Sequence, residues 1–416
     1  MNTCECIEEQ WGITLREAQR EAIEHAEHGR DMLVVLPTGY GKSICYQGPA
    51  GIDPEAPTTI VVSPLIALMD DQVADLKRRG VSAAALHSNM PFFEQSTVED
   101  QLRGGLLRLI YVSPERALTP AFISDLADLR GRGMLSRIVI DEAHCISMWG
   151  QDFRPSYARL GDLRKVFPNV PIMALTATAT ERVRREIIES LDLVDPVTVA
   201  APTRRDNLFL SASYRDRSVI EDATNWAHDR AQNSTDKGIV YCDRRVEAET
   251  IASELRNRDI SAVAYHAGLE PRERSVAQSR FFNGSEQVIV ATVAFGMGVN
   301  VTDVRWVLHS RLPSSLERYH QEIGRAGRDG KPARCHVLYD IDDVDRAVAL
   351  VTNESMSTTE LQARVDAVSA MFGYCDNSSG ACRHVMLDRY FEPDEQVDPS
   401  PLHYCFTYCD HCAADR

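Results

Sequence analysis

Residues 36–43 read Leu-Pro-Thr-Gly-Tyr-Gly-Lys-Ser and lie between an apolar run and a helix-like apolar segment. Backbone N–H groups of a glycine-rich turn at a helix N-terminus point inward and bind phosphates. Lys42 would reach the outer phosphates, and the Ser43 hydroxyl would ligate magnesium. The loop opens with Leu36, where the usual pattern has glycine. It predicts a nucleotide site made by Thr38, Gly39, Gly41, Lys42 and Ser43.

A second group suited to phosphate chemistry follows the β-branched run Arg137–Asp141, which ends in Asp-Glu-Ala-His. A strand that stops on two adjacent carboxylates suits magnesium-dependent hydrolysis. Asp141 would hold magnesium, directly or through water, and Glu142 would polarise the attacking water. Together with the upstream loop, the two carboxylates predict a nucleoside triphosphatase.

Arg16 and Gln19 lie three positions apart on the first part of the chain that has a helical pattern. An arginine and a glutamine so placed could bind the edge of adenine. They could equally form a solvated helix face, which is the favoured interpretation for such a pair in isolation.

Two arginines, Arg325 and Arg328, lie among glycines in the segment Gln321–Gly330. Phosphoryl transfer needs a positively charged group beside the negative charge that develops on the transferred phosphate. A second lobe can deliver an arginine to this place when the lobes close. Such an arrangement couples hydrolysis to domain motion. The alternative is a glycine-rich loop with surface arginines. Small hydroxyls at strand ends, such as Ser63 and Thr292, suit contacts to a phosphate backbone.

Short β-branched runs alternate with helical patterns along most of the chain, which predicts parallel sheets covered on both faces. The pattern pauses at Ala200–Asn207, the predicted linker, and then restarts, so two α/β lobes are expected. After Asp342 the pattern becomes helical, with a helix at Thr358–Gly373. The predicted strands are Met32–Leu36, Thr59–Ser63, Leu109–Ser113, Arg137–Asp141, Ile172–Thr176, Gly238–Cys242, Ser261–Tyr265, Gln287–Thr292, Val304–His309 and Ala333–Tyr339.

The composition is that of a globular protein of two or three domains, with 416 residues, 44% hydrophobic and 25% charged. The net charge of −16 argues against a broadly basic surface, although a local stripe of arginine could still bind nucleic acid. The apolar runs are too short to cross a bilayer, and Met1–Gln10 does not resemble a signal peptide. A cytoplasmic or nucleoid location is expected.

Four of the eleven cysteines crowd near the end of the chain, at Cys382, Cys405, Cys409 and Cys412. Their number and proximity suit a tetrahedral four-thiolate zinc site. Cys375, His384 and His411 are possible substitute ligands. The alternative is a set of reduced thiols in a frayed tail.

The order of these motifs resembles a superfamily-two helicase, and the RecQ family fits most closely. The run Asp141–Tyr157, with its carboxylates and aromatic residues, looks like the joined ATPase motif and aromatic-rich loop of that family. The segments Thr292–Asn300 and Gln321–Gly330 resemble its motifs as well. The resemblance covers about residues 10–412.

This resemblance implies an ATP-hydrolysing, 3′-to-5′ DNA helicase. It implies two tandem RecA-like parallel-sheet lobes, at 1–200 and 201–341, and a small helical zinc-binding domain at 342–416. It gives Arg328 the arginine-finger place, with Gln321 and Arg325 beside it, and favours Arg16 and Gln19 as adenine-binding residues. It places Trp149, Phe153 and Arg154 in a loop that senses single-stranded DNA, although the two aromatic residues would otherwise be expected in the core. The expected DNA-contacting set consists of these three residues with Ser63, His144 and Thr292.

Two positions depart from the family pattern. Ile13 stands where the family often stacks an aromatic side chain on adenine, so selectivity would be looser or Trp11 would substitute. Three residues separate Cys405 from Cys409, where the family usually has two. The expected cofactors remain ATP, magnesium and zinc.

The expected partners are single-stranded and branched DNA and single-strand-binding or repair proteins. The chain is expected to be a monomer. An RNA-directed helicase and a nucleic-acid-binding scaffold with an inactive ATPase are the alternatives.

Overall fold

A computed structural model describes residues 2–147, 154–295, 301–352, 356–392, 405 and 408–414. The chain forms two compact units, Met1–Pro202 and Thr203–Arg416. Among the described residues, none of the helices combines the length and the apolar composition that crossing a lipid bilayer requires.

The first unit contains a seven-stranded sheet in the order β3-β4-β2-β5-β6-β1-β7, in which every pair is parallel. Its strands are β1 Met32–Val35, β2 Thr58–Val62, β3 Ala83–Leu86, β4 Leu109–Val112, β5 Leu135–Ile140, β6 Ile172–Thr176 and β7 Val197–Ala200. Its helices are α1 Thr3–Trp11, α2 Glu17–Glu27, α3 Ile44–Gly51, α4 Ile66–Arg78, α5 Phe92–Arg103, α6 Pro114–Ala117, α7 Pro120–Gly131, α8 Pro155–Ala158, α9 Asp162–Val166 and α10 Glu181–Ser190, with a 3₁₀ turn at Ala143–Ile146.

Both faces of this sheet are covered, as continuous apolar strands require. Successive side chains of β1 point to opposite faces. Accordingly, Leu33 and Val35 lie in one hydrophobic core, whereas Met32 and Val34 lie in another. The carboxyl ends of the strands meet at one edge of the sheet, and the predicted phosphate-binding segments follow β1, β2 and β5 there.

The second unit contains a six-stranded parallel sheet in the order β10-β11-β9-β12-β13-β8. Its strands are β8 Leu208–Tyr214, β9 Lys237–Tyr241, β10 Ala262–Tyr265, β11 Val288–Ala291, β12 Val304–His309 and β13 Ala333–Tyr339. Its helices are α11 Val219–Ala231, α12 Arg245–Arg256, α13 Pro271–Phe282, α14 Leu316–Ile323, α15 Asp342–Val351, α16 Thr358–Asp376, α17 Arg383–Phe391 and α18 Asp410–Ala414.

The helical region α15–α18 packs on the second sheet and shares its core. Leu210 and Val337 of the sheet lie in one hydrophobic cluster with Met371, Phe391 and Cys409. The expected fold class, two parallel α/β lobes followed by a helical zinc-binding region, is confirmed. All ten predicted strands form, and the structure adds β3, β7 and β8.

Candidate functional site

The glycine-rich loop connects the buried strand β1 to helix α3. Leu36 continues the strand, since its N–H donates to the Thr176 carbonyl at 3.1 Å. Gly39 and Gly41 then take φ values of +84° and +88°, which residues with a side chain rarely adopt. The loop thus reaches the N-terminus of α3 with Lys42 and Ser43 half-buried beside it. This is the backbone arrangement that binds nucleotide phosphates.

Gln19 holds this loop from helix α2. Its side-chain amide donates to the carbonyls of Tyr40 at 2.8 Å and Gly41 at 3.1 Å. Its side-chain oxygen accepts from the Arg16 N–H at 2.8 Å. The Arg16 guanidinium lies 4.5 Å from the centre of the Tyr40 ring. The structure therefore brings both predicted adenine-binding residues to the loop, and it adds an aromatic partner, Tyr40, that the sequence reasoning missed.

Trp11, the possible substitute for a stacking aromatic, lies elsewhere on the first unit. The Arg79 guanidinium is 4.8 Å from its ring. A Cβ added at Gly51, the last residue of α3, would be 2.8 Å from Trp11 Cζ2. Trp11 thus packs against the far end of α3, whereas Tyr40 contacts Arg16 at the loop.

Asp141 follows β5 and is buried at the same edge of the sheet. Burial raises the pKa of Asp141 to about 7, the adjacent Glu142 charge adds to this rise, and the Lys42 charge opposes it. The Asp141 carboxylate accepts from the Glu142 N–H at 3.0 Å, and its carbonyl accepts from the Tyr157 hydroxyl at 3.0 Å. A divalent cation would favour the ionised carboxyl, and carboxylate and hydroxyl oxygens such as Ser43 Oγ are suitable magnesium ligands.

Glu142 has a strained backbone, with φ +50° and ψ +47°. Left-handed conformations of residues with a side chain cluster at functional sites. Its Oε2 atom is buried without a hydrogen-bond partner among the described residues, 3.4 Å from His144 Nδ1. That nitrogen also lies 3.0 Å from Thr176 Oγ1 at the end of β6. His144 thereby links the second carboxylate to the neighbouring strand.

The predicted DNA-contacting residues of the first unit differ in exposure. Ser63 is only 1% exposed and His144 only 7%. Arg154 is half-buried, and its Nη1 donates to the Pro64 carbonyl at 2.7 Å. Trp149 and Phe153 lie outside the described residues.

The glycine-rich arginine segment of the second unit follows helix α14. Gln321 is half-buried on that helix, whereas Arg325 is 3% exposed. Burial lowers the pKa of Arg328 to about 9, and the charges of Arg325 and Arg205 lower it further. The structure therefore brings Arg325 and Arg328 together and adds Arg205, which the sequence reasoning assigned to the linker.

Thr292 follows β11 in the same unit and is 8% exposed. Its carbonyl accepts from the Phe295 N–H at 3.0 Å, which makes a tight turn after the strand.

The four predicted metal ligands converge in the second unit. The sulfur atoms of Cys382, Cys405, Cys409 and Cys412 all lie within 4.8 Å of one another, and all four side chains are buried. Hydrogen bonds that join Cys409 to the thiols of Cys382 and Cys405 hold the pKa of Cys409 well below its usual range. Four convergent thiols, one of which readily ionises, fit tetrahedral zinc.

The alternative ligands do not join this group among the described residues. His384 directs Nε2 toward the carbonyls of Leu208 and Tyr408 at 3.2 and 3.3 Å. Cys375 is buried, and burial raises the pKa of its thiol. Among the described residues, the four predicted sulfur atoms therefore converge without Cys375 or His384.

The cysteine segment covers the exposed edge of the second sheet. The Leu210 N–H of the edge strand β8 donates to the Tyr408 carbonyl at 3.0 Å, and the Ala212 N–H donates to Asp410 Oδ2 at 3.0 Å. Arg383 Nε donates to Asp410 Oδ1 at 2.6 Å. Covering an edge strand satisfies its free backbone groups, so the metal site and the sheet stabilise each other.

Three family models match the chain in succession. They are DEAD/DEAH box helicase over residues 16–187, helicase conserved C-terminal domain over 219–330 and RecQ zinc-binding over 341–413. The last range contains all four cysteines, and the first contains the loop and both carboxylates. The predicted cofactors, ATP, magnesium and zinc, are thereby confirmed.

Proteins similar to this chain include two helicases. The chain is 40% identical over 387 residues to the ATP-dependent DNA helicase RecQ of Pasteurella multocida, spanning 92% of this chain and 58% of that protein. It is 39% identical over 407 residues to the RecQ-like DNA helicase BLM of Xenopus laevis, spanning 96% of this chain and 30% of that protein. The chain therefore covers less than two thirds of either relative.

The solved structures agree on the fold. The DUF1998 helicase MrfA bound to DNA and AMPPNP superposes with a TM-score of 0.69 at 18% identity, covering 84% of this chain and 52% of that one.

Proposed function

We propose that this chain, a member of the RecQ helicase family, is the ATP-driven core of a DNA helicase. It would move 3′ to 5′ along single-stranded DNA and unwind duplex or branched DNA in recombination and repair. The observation that carries the proposal is that the phosphate-binding loop after β1 and the carboxylates after β5 follow parallel strands of one sheet and so lie at the same edge. The charge of Lys42 opposes the rise in the pKa of Asp141, which agrees with one site for nucleotide hydrolysis.

The first unit supplies the groups for ATP binding and hydrolysis. Lys42 binds the outer phosphates, and Ser43 and Asp141 hold magnesium, which neutralises charge on the phosphates when bound. Glu142 orients the attacking water and polarises it. Burial raises the pKa of Asp141, and the nearby Lys42 and a bound cation would both oppose that rise by favouring the ionised form, which is the form that binds a cation. Arg16 and Gln19 hold the base.

In the proposed mechanism, an arginine of the second unit would supply positive charge to the phosphate that is transferred. Arg328 is the residue proposed to stabilise the negative charge that develops on this phosphate, and Arg325 and Gln321 lie beside it in the sequence. An arginine in this role typically accelerates hydrolysis by about 10³–10⁵. Because a second lobe delivers this charge, hydrolysis would be coupled to domain motion.

DNA binding is assigned to strand-end residues and to the segment that begins at His144. Ser63 and Thr292 lie at strand ends that would contact the phosphate backbone of DNA. Because both side chains are mostly buried, residues next to them in the sequence would make part of this contact. Trp149 and Phe153 would stack on bases at roughly 1–3 kcal/mol per base. The bond from Arg154 to Pro64 supports a path from this segment to the strand end at Ser63.

The partners and the location follow from this activity. Single-stranded and branched DNA are the proposed substrates, and single-strand-binding or repair proteins are the proposed partners of a monomeric, nucleoid-associated chain.

Unwinding polarity tests the proposal. Partial duplexes with either a 3′ or a 5′ single-stranded tail are incubated with the purified chain and ATP, with AMPPNP as the control. The proposal predicts ATP-dependent separation of the 3′-tailed duplex and little of the 5′-tailed one. Equal separation of both, or a preference for the 5′ tail, would overturn the assigned polarity.

A further inference from the structure

The segment Gly324–Lys331 carries Arg325 and Arg328 on one tight turn. Gly327, which lies between them, has φ +56°. A Cβ added there would be 2.7 Å from the Lys331 carbonyl oxygen, too close for any side chain. The Gly327 N–H donates to the Val304 carbonyl at 2.8 Å, which ties the turn to the start of β12.

A short stretch before β8 holds this turn. The Arg205 guanidinium donates from Nη1 to the Gly324 carbonyl at 3.2 Å and from Nη2 to the Gly327 carbonyl. Asn207 Nδ2 donates to the carbonyls of Gly327 and Lys331, both at 2.8 Å. Arg205 thus bridges the carbonyls on either side of Arg325. A planar guanidinium is suited to this task because its donors have fixed directions.

Arg205 also lies within electrostatic reach of Arg328. Arg328 Nε donates to the same Gly324 carbonyl, at 3.4 Å. The positive charges of Arg205 and Arg325 act on Arg328 and contribute, after burial, to its lowered pKa. Backbone carbonyls therefore hold two guanidinium groups, those of Arg205 and Arg328, and the charge of Arg325 acts on the second of them. Preorganised positive charge of this kind stabilises an anion without reorganisation during the reaction.

We infer that Arg205 is a positioning residue for Arg328, holding the Gly324–Lys331 turn so that the Arg328 guanidinium is ready for the transferred phosphate. The inference rests on the proposed function, because it needs Arg328 to act in hydrolysis. Arg205 is assigned no contact with the nucleotide. Its substitution should therefore lower kcat and leave the KM for ATP nearly unchanged.

The test compares single-strand-stimulated ATP hydrolysis by the full chain carrying Arg205→Ala, Arg205→Lys, Arg204→Ala or Arg328→Ala. Arg204→Ala is the matched control because it removes an equal charge one position away, from a residue that pairs with Asp206. We expect Arg205→Ala to lower kcat at least about 10-fold with KM within about twofold, and Arg204→Ala to stay within about twofold in both. Lysine cannot bridge two carbonyls in a fixed plane, so Arg205→Lys should recover only part of kcat.

The double variant Arg205→Ala, Arg328→Ala separates positioning from general stability. If Arg205 acts through Arg328, the double variant should be no slower than Arg328→Ala alone. The inference is overturned if the loss of kcat in the double variant equals the product of the losses in the two single variants. It is also overturned if Arg205→Ala keeps the wild-type kcat while Arg328→Ala is slow. Wild-type kcat in Arg328→Ala would overturn the proposed role of Arg328 itself. If Arg205→Ala does not fold, the Arg205→Lys variant is the test, provided that its melting temperature equals that of the wild type. A reduced kcat of this variant supports the inference, and a wild-type kcat overturns it.

Discussion

Arg154 Nη1 donates to the carbonyl oxygen of Pro64 at 2.7 Å. This bond joins the segment after Asp141 to the residue that follows Ser63 at the end of β2. Both ends lie in the first unit, so the bond is a direct link between a proposed DNA-contacting strand end and the segment that carries the proposed catalytic carboxylates.

Arg154→Ala should therefore uncouple ATP hydrolysis from DNA. We expect the rate with saturating single-stranded DNA to fall at least about 10-fold, while the basal rate stays within about twofold, because the Asp141 and Glu142 contacts are retained. Steady-state hydrolysis with and without DNA measures both rates. Arg159→Ala, which removes a largely exposed arginine on the same segment, is the control. Equal loss of both rates in Arg154→Ala would indicate a packing role only.

Cys409→Ser should remove the metal and weaken the second unit. The thiol of Cys409 is central to the cluster, 3.5 Å from the Cys405 sulfur and 4.0 Å from the Cys382 sulfur. Zinc content should fall from about one ion per chain to nearly none, and the melting temperature should fall by roughly 5–10 °C because metal binding contributes folding free energy. Elemental analysis and calorimetry measure these values. Cys6→Ser in α1 is the control, and wild-type zinc content in Cys409→Ser would refute the ligand assignment.

Asp343→Asn should destabilise the junction between the second sheet and the helical region. Asp343 is 1% exposed and accepts from Arg215 at 2.6 and 3.0 Å and from Arg311 at 3.1 Å. Removing its charge leaves buried arginine charge poorly compensated, which costs roughly 3 kcal/mol in the free energy of unfolding. Urea denaturation measures the loss. The exposed neighbour Asp342→Asn should cost less than about 1 kcal/mol, and similar losses in the two variants would contradict the account.

His320 should make the second unit sensitive to acid. Burial lowers its pKa to about 4, despite a contact of Nε2 with the Thr203 carbonyl at 3.2 Å. An unfolded chain binds this proton with a pKa of about 6.5. Between pH 6.5 and 4 the unfolded state therefore binds more protons, so the free energy of unfolding falls as the pH falls, by roughly 2 kcal/mol at pH 5 for this group.

Urea denaturation at pH 7 and pH 5 tests this histidine. His320→Gln should reduce the difference in unfolding free energy between the two pH values by roughly 2 kcal/mol, because glutamine does not titrate. The exposed His28→Gln should leave that difference as in the wild type. An unchanged difference in His320→Gln would show that other groups account for the acid sensitivity.

The fold was predictable from sequence for every central strand and for one of the four edge strands, β10. The three strands that the pattern missed all lie at sheet edges. Strand β3 reads Ala-Ala-Ala-Leu and contains no β-branched residue, and β7 has only Val199 buried. Strand β8 follows a segment with Pro202 and several charges, which looked like a linker. Edge strands have one neighbour fewer, so the apolar pattern that marks them is weaker.

The candidate site was predictable where function depends on consecutive residues. The loop at Lys42, the pair at Asp141 and the four cysteines each follow from local spacing. Tyr40 and Arg205 were missed because their roles depend on distant partners. Arg205, for example, contacts Gly324 across 119 positions of sequence. No local pattern marks such a bond, whereas a folded structure reveals it directly.

The most direct test of the central claim is ATP hydrolysis by the purified chain, alone, with single-stranded DNA, and with an RNA oligomer of the same sequence. A Lys42→Ala variant provides the baseline, expected at least about 100-fold below the wild type because it removes the cation at the phosphates. We predict strong stimulation by DNA and little by RNA. Equal or greater stimulation by RNA, or near-wild-type hydrolysis by Lys42→Ala, would contradict the account.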